Sequence, residues 1–475
     1  MATQTKKNSP SLEQVTTINE DGSRYFLHPS DVRGVFTSLR RWFGYILIAI
    51  YVALPWIPIN GYPAVFIDLA NRRFHLFGIT LIPQDLWVLF FGISGLGFLL
   101  FFVTALLGRL WCGWACPYTV FLEHVYRRIE RWIDGNAPKR RKLDAAPWTG
   151  SKIVKRLIKY SLYFLVSTLL AHVFLAYFIS IPELWNYMAL GPFAHPFSFG
   201  VVAFFTITFL FCFAWFREQF CIIMCPYGRL QSVLTDEQSV VIGYDEKRGE
   251  PRGKGKPRNN LGDCIDCHRC VHVCPTGIDI RNGLQLECIG CAACIDACDQ
   301  VMGALKLPKG LVRYDSEVGL ERKKKKWIRP RIFVYGILGL IGLIAFTTVA
   351  FFKASPYYVN VFRSRGVAPF VADAESVRNQ FEFLVINKRN QPVNFEVVLT
   401  EAPPGATLVG ETERQLDPLE EEAFQLKVVV PSDQYAGPAD LKFAFKSNLP
   451  GKLREMKESF SGPNVYYLKR LIEGE

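Results

Sequence analysis

Eight of the thirteen cysteines fall into two runs with one spacing. Cys264, Cys267 and Cys270 are separated by two residues each, and Cys274 follows after three more; Cys288, Cys291, Cys294 and Cys298 repeat the pattern. A CxxCxxC turn presents three thiolates from one loop, which suits three corners of an iron–sulfur cubane. Gly290, Ala292 and Ala293, lying between the ligands of the second run, let the backbone close on an inorganic core.

This is the spacing of two-cluster bacterial ferredoxins, in which the fourth cysteine of each run serves the other cluster. The expected ligand sets for two [4Fe-4S] clusters are therefore Cys264, Cys267, Cys270 with Cys298, and Cys288, Cys291, Cys294 with Cys274. One departure is Asp299, which stands where the first run has Pro275. Eight thiolates could also build two structural zinc sites. Zinc ribbons, however, separate their CxxC pairs by long spacers and do not add a third cysteine two residues on.

A second pattern, CxxxCPY, also occurs twice: Cys112, Cys116, Pro117 and Tyr118, then Cys221, Cys225, Pro226 and Tyr227. Each copy follows an apolar stretch and leads into helix-like sequence (Thr119 to Arg131; Gly228 to Thr235), the mark of an internal duplication. Proline suits the first position of a helix. Cys116 and Cys225 are thus expected at helix N-termini, where partial positive charge lowers a thiol pKa. Arg109, Arg217 and Arg229 would act in the same sense. A helix continuing through the motif would put Cys112 and Cys116 on one face. Two convergent pairs could hold a soft metal, since thiolates select Cu(I), zinc or iron–sulfur clusters. Cys112, Cys116, Cys221 and Cys225 are accordingly the candidate catalytic and copper-binding residues. The plainer alternative is that they are small apolar fillers, the role expected of Cys212. Met224 could add a soft ligand but suits packing better.

The histidines carry weaker signals. His172 lies inside an apolar span, where an ionisable group is a functional candidate, yet it has no partner at haem-bridging spacing. His195, in Ala194-His195-Pro196, could be a metal ligand but reads better as a plain loop residue. His268 and His272 sit between cluster cysteines and would tune a cluster or face water. No dinucleotide fingerprint is present, because the glycines around Gly92 to Gly97 fall in an apolar span and not after a strand. CxxCH occurs only within the Cys264 to Cys270 run.

Half of the 475 residues are hydrophobic, 38 are Phe, and mean hydropathy is positive; this composition calls for membrane spans. The net charge of +12 does not argue for nucleic acid, since the basic residues crowd the edges of apolar runs. Spans are expected at about Trp42–Ile59, Leu86–Gly108, Tyr160–Ile181, Phe197–Phe216 and Ile332–Phe352. Arginine and lysine are dense from Arg109 to Lys159 and from Arg322 to Arg331, and sparse between the first two spans. By the positive-inside rule the N-terminus, the 109–159 loop and the cluster region are cytoplasmic, and the C-terminal part is outside. That part holds no cysteine, which fits an oxidising compartment. The polar first forty residues lack the apolar core of a signal peptide.

The expected organisation is mixed. It has a 1–40 N-terminal tail, without clear periodicity and mobile, and a 41–235 four-span membrane domain with two CxxxCP hairpins. A 236–331 dicluster ferredoxin-like α+β domain and a 332–352 fifth helix follow. The 353–475 region reads as an all-β sandwich of immunoglobulin-like type, with strands at Gln380–Asn387, Val393–Thr400, Ala423–Val430 and Ala439–Phe445.

Taken together, the paired CxxxCP motifs, the dicluster segment, the final span and the external β-domain resemble the cytochrome c oxidase accessory protein family (CcoG, also called FixG or RdxA), over about residues 20 to 475. The resemblance implies a multi-pass protein of the bacterial inner membrane. It further implies a role in cbb3-type oxidase assembly through reduction of Cu(II) to Cu(I), with a copper transporter or chaperone as partner and an unidentified cytoplasmic electron donor. Two other readings fit the same motifs: an electron relay between the quinone pool and a partner protein, and an assembly scaffold whose clusters sense redox state. A homo-oligomer is compatible with each.

Overall fold

The computed structural model describes residues 17–18, 24–255, 260–326, 329–353, 357–364, 366–448 and 454–473. They form two compact units. One comprises Met1–Ile57, Pro63–Ile67 and Leu89–Phe346; the other comprises Pro58–Tyr62, Asp68–Val88 and Thr347–Glu475.

Among the described residues, five helices are long and apolar enough to cross a membrane: Val35–Trp56, Pro83–Leu107, Gly150–Leu175, Pro196–Phe216 and Pro330–Ala350. Two differ from expectation. The first begins at Val35, seven residues before Trp42, because its N-terminus is capped from far along the chain: the Asp296 carboxylate accepts from the Thr37 backbone N–H at 2.7 Å and from its hydroxyl at 2.6 Å. The third begins at Gly150, where Thr149 is the N-cap, and ends at Leu175, not Ile181. Its first turns hold Lys152 and Lys159, which an apolar window rejects. Lys159 is buried against Asp134 at 2.7 Å, and Lys152 donates to the Ala146 carbonyl at 2.6 Å. A further helix, Ile181–Leu190, follows. The second and last spans meet through glycine: a Cβ on Gly342 would lie 2.7 Å from the Cα of Gly95. Only small residues permit such backbone approach within a membrane.

The expected mobile tail is also corrected in part. Residues 1–16 and 19–23 lie outside the described set, but Arg24 pairs with Glu218 at 2.7 Å and buried His28 with Asp144 at 2.6 Å. Each partner stands more than a hundred positions away, so no local pattern announces the contact.

The cluster segment is held by an antiparallel pair, Val241–Tyr244 with Val312–Asp315, and by helices Arg269–His272 and Ala293–Ala304. Its two cysteine loops share one backbone path. Asp266 and Gly290 occupy the left-handed region, and so do His268 and Ala292; each pair flanks the second cysteine of its run. The last two residues begin the short helices that carry Cys270 and Cys294.

The second unit contains two antiparallel sheets. One runs Thr407–Val409, Glu421–Pro431, Ser376–Asn387, Tyr357–Arg363, and the other Glu413–Leu416, Val393–Glu401, Ala439–Ser447, Arg454–Phe460. Alternating residues supply the core, with Phe381, Phe383, Phe443, Phe445 and Phe460 fully buried. Four of these strands were legible as alternating runs. The short Thr407–Val409 and Glu413–Leu416, the charged Arg454–Phe460 and the closing helix Val465–Glu473 were not.

This unit also contains the hairpin of Arg73–Leu76 and Ile79–Leu81, in a stretch whose pattern by itself predicts only a loop between two spans. Buried His75 stacks on Tyr62 with ring centroids 4.0 Å apart, and its Nδ1 shares a 3.0 Å hydrogen bond with Thr80 Oγ1. Burial lowers the imidazole from 6.5 to about 4, with Asp68 opposing and Arg73 assisting. Between those two values the unfolded chain binds the proton and the folded one does not, so acid favours unfolding. Stability of this unit is therefore expected to fall as pH drops from 6.5 towards about 4. Urea unfolding of the detergent-solubilised protein across that range should show the slope, and His75→Gln should flatten it; an unchanged slope would exonerate His75.

Candidate iron–sulfur and thiol site

A cavity is lined by Cys264, Cys267, Cys270 and Cys298 with Tyr244, Val301 and Met302 along its walls. These four cysteines are the first expected ligand set, including the one borrowed from the second run. Cys274 in turn stands within electrostatic reach of Cys288, Cys291 and Cys294. Burial pushes the Cys270, Cys288 and Cys298 thiols up to about 12, and Cys291 and Cys294 are also raised by burial. Buried thiols of this kind ionise when a bound cation compensates the charge. Among the described residues, no three His, Cys, Asp or Glu side chains stand close enough to share one metal ion. A cubane makes no such demand, because each cysteine binds its own iron. The donor set and the sulfur-lined cavity fit iron–sulfur clusters.

Around the first loop, buried Arg281 contacts Asp266 at 2.5 Å, Asp279 at 2.6 Å and His268 Nδ1 at 2.8 Å. His268, although exposed, is thus engaged in supporting the loop; His272 is exposed too. Asp299 accepts from the Gly310 N–H at 2.9 Å, which gives the departure from proline a structural role.

The duplicated CxxxCPY motifs are interlocked. Gly108 and Arg217, each four residues before the first cysteine of its copy, both have positive φ and turn the chain out of the preceding span. Cys112 therefore lies in a separate short helix, Leu110–Trp114, and Cys116 is the extended N-cap of the next. The expectation that both share one helical face is corrected. Cys225 caps Pro226–Leu234 in the same way. The Tyr118 hydroxyl donates to the Cys212 and Arg217 carbonyls at 2.8 and 2.6 Å, across to the second copy. Reciprocally, Tyr227 bonds Thr104 and Arg109 bonds the Gly228 carbonyl.

The crossing brings the two copies near each other: Cys221 lies within electrostatic reach of Cys112, Cys116 and Cys225, although no three of these thiols stand close enough to share one metal ion. Fully buried Gln231 donates to Cys112 Sγ at 3.2 Å, and Thr119 hydrogen-bonds Cys221. Gln231 and Thr119 escaped the sequence reading, since each acts on a cysteine of the opposite copy. Burial raises Cys112 to about 11 and Cys221 to about 12. Arg217 does not serve the thiols as expected; it pairs with buried Glu130 at 3.0 Å.

The thiol group also abuts the cluster segment. A Cβ on Gly113 would lie 2.6 Å from the Ile289 carbonyl oxygen and 2.9 Å from the Cys291 Cα, so the first CxxxCP loop rests on the second CxxC loop. The remaining candidates stand apart. His172 bonds the Thr168 carbonyl of its own helix at 2.8 Å, His195 stacks on Tyr187, and Met224 is exposed.

Membrane-spanning helices joined to a two-run cysteine site define a membrane-bound iron–sulfur electron-transfer protein. Comparison with known proteins agrees: residues 216–317 match the 4Fe-4S dicluster domain, 88–140 a 4Fe-4S binding domain, and 347–463 the IG-like fold at the C-terminus of FixG. The chain is 36% identical to protein RdxA of Cereibacter sphaeroides over 394 residues, 78% of this chain and 82% of that one. It is 37% identical to RdxB of the same organism over 396 residues, 78% of this chain and 81% of that one. To the nitrogen fixation protein FixG of Rhizobium meliloti it is 39% identical over 302 residues, 61% of this chain and 56% of that one. The chain belongs to the FixG/RdxA family.

Proposed function

We propose that the protein is a cupric reductase of the bacterial inner membrane, supplying Cu(I) for assembly of a cbb3-type oxidase. Its cluster segment would face the cytoplasm and its β-sandwich the periplasm. The observation that carries this reading is that the first CxxxCP loop rests on the Cys291 loop at Gly113, with Cys221 of the second copy within electrostatic reach of Cys112 and Cys116. Bound clusters supply single electrons, the stoichiometry that Cu(II) reduction needs. The thiol group supplies soft ligands that favour Cu(I) over Cu(II). Gln231 and Thr119 orient Cys112 and Cys221. Burial keeps these two thiols protonated until a metal takes the proton's place, which disfavours disulfide formation through a free thiolate. The basic belts from Arg109 to Lys159 and from Arg322 to Arg331 support the orientation.

The test uses anaerobic, dithionite-reduced protein freed of excess reductant. Added Cu(II) is expected to bleach the reduced-cluster signal while a Cu(I)-specific chelator reports Cu(I) in matching electron count. Cys112→Ser combined with Cys221→Ser should leave cluster content intact and lower Cu(I) formation by roughly tenfold or more, the loss of a thiolate pair. Clusters that stay reduced in the presence of Cu(II), or a double variant as active as the parent, would reject the reading. Quinone would then be the next acceptor to try.

A further inference from the structure

We infer a binding site for a phosphate-type anion at the mouth of the first span, a function the iron–sulfur and copper readings neither use nor require. A small cleft of about 110 Å³ opens there, lined by Arg40, Arg41, Arg127, Arg128, Arg131 and Arg140 against only two carboxylates, Asp31 and Glu123. Both carboxylates are already engaged. Glu123 is shared by Arg40 at 3.3 Å and by Arg127, and Asp31 pairs with Arg131. Arg140 is drawn away to Glu130 at 3.3 Å and the Pro29 carbonyl at 3.2 Å. That leaves Arg41 and Arg128. They stand near enough to repel each other, and among the described residues neither has a carboxylate partner; the Arg41 Nε is buried without a hydrogen bond. Two partly buried guanidinium groups lining one cleft, with no carboxylate partner among the described residues, favour an anion between them. Guanidinium forks match phosphate oxygens bidentately.

The size of the cleft narrows the ligand. It is below the roughly 300 Å³ at which pockets begin to enclose a whole drug-sized molecule, so it admits a phosphate head with the rest of the molecule outside. Arg41 belongs to the first span, and its neighbours Trp42 and Ile46 are exposed on that helix, as lipid-facing and interfacial residues are. Basic pockets between helices at a membrane edge suit anionic lipid head groups. The headgroup of an anionic phospholipid is therefore the favoured source, and a soluble phosphate the other.

The experiment compares the full chain with R41Q/R128Q by native mass spectrometry, after equilibration with phosphatidylglycerol, phosphatidylcholine or inorganic phosphate. Visible cluster absorbance serves as the folding control. The parent is expected to retain phosphatidylglycerol over phosphatidylcholine, and the double variant to retain it roughly tenfold or more less well. Arginine-dependent retention of inorganic phosphate without lipid preference supports the same site with a soluble source. Equal retention by parent and variant of both phosphatidylglycerol and phosphate overturns the inference. R128Q alone, on a residue without an ion pair among the described residues, gives the same readout if the double variant fails to fold.

Discussion

Replacing Cys298 with serine is expected to give the same protein as replacing Cys264, although the two residues belong to different cysteine runs. Each variant should lose one cluster, about four iron atoms per chain, with the signature of the other cluster retained. Cys274→Ser should instead match Cys288→Ser. The basis is the cavity shared by Cys264, Cys267, Cys270 and Cys298, together with the approach of Cys274 to Cys288, Cys291 and Cys294. Iron and sulfide analysis with electron paramagnetic resonance of the reduced variants reads the pairing directly. Should Cys298→Ser resemble Cys288→Ser, each run would hold its own cluster and the crossed assignment would fall.

Glu130→Gln is expected to be the most damaging single change outside the cysteines. Glu130 is 2% exposed and pairs with Arg217 at 3.0 Å and Arg140 at 3.3 Å, with Lys159 at 3.9 Å. Burial works against its charge, but Arg217, Lys159 and Arg140 hold its carboxyl well below the usual range. Removing that charge strands buried cations, at a cost of about 3–5 kcal/mol. It would also loosen Arg217, whose left-handed turn starts the second CxxxCP copy. Adding Arg217→Met should recover part of the loss, because removing both partners of a buried pair costs less than removing one. Thermal unfolding in detergent, followed by cluster absorbance, measures both. A loss under about 1 kcal/mol would place Glu130 among the weakly coupled surface pairs.

Much of the molecule was legible in advance because the signals are local. Cluster ligation depends on thiolates a few residues apart, so two CxxCxxC runs declare the chemistry without any fold. Membrane spans depend on continuous apolar length, and the sandwich strands on alternation. The duplication was visible as two CxxxCPY copies. What the sequence did not disclose lies in long-range pairing. Asp296 caps a helix some 260 positions upstream, and Arg24 and His28 draw the N-terminal segment into the fold through Glu218 and Asp144.

The division follows from the range of the forces involved. By itself the sequence determined the membrane spans, the longer sandwich strands and the candidate iron ligands, since hydropathy, alternation and ligand spacing act within a few residues. Only the tertiary structure decided that the two copies cross. Crossing sets Gln231 on Cys112 and Thr119 on Cys221, and lays Gly113 on the Cys291 loop. It also turned Arg217 from a thiol neighbour into the partner of Glu130, because a buried guanidinium must find a carboxylate and the nearest one comes from the other copy. The partly buried Arg41 and Arg128, without a carboxylate partner among the described residues, come to line one cleft only once the helices have been brought together.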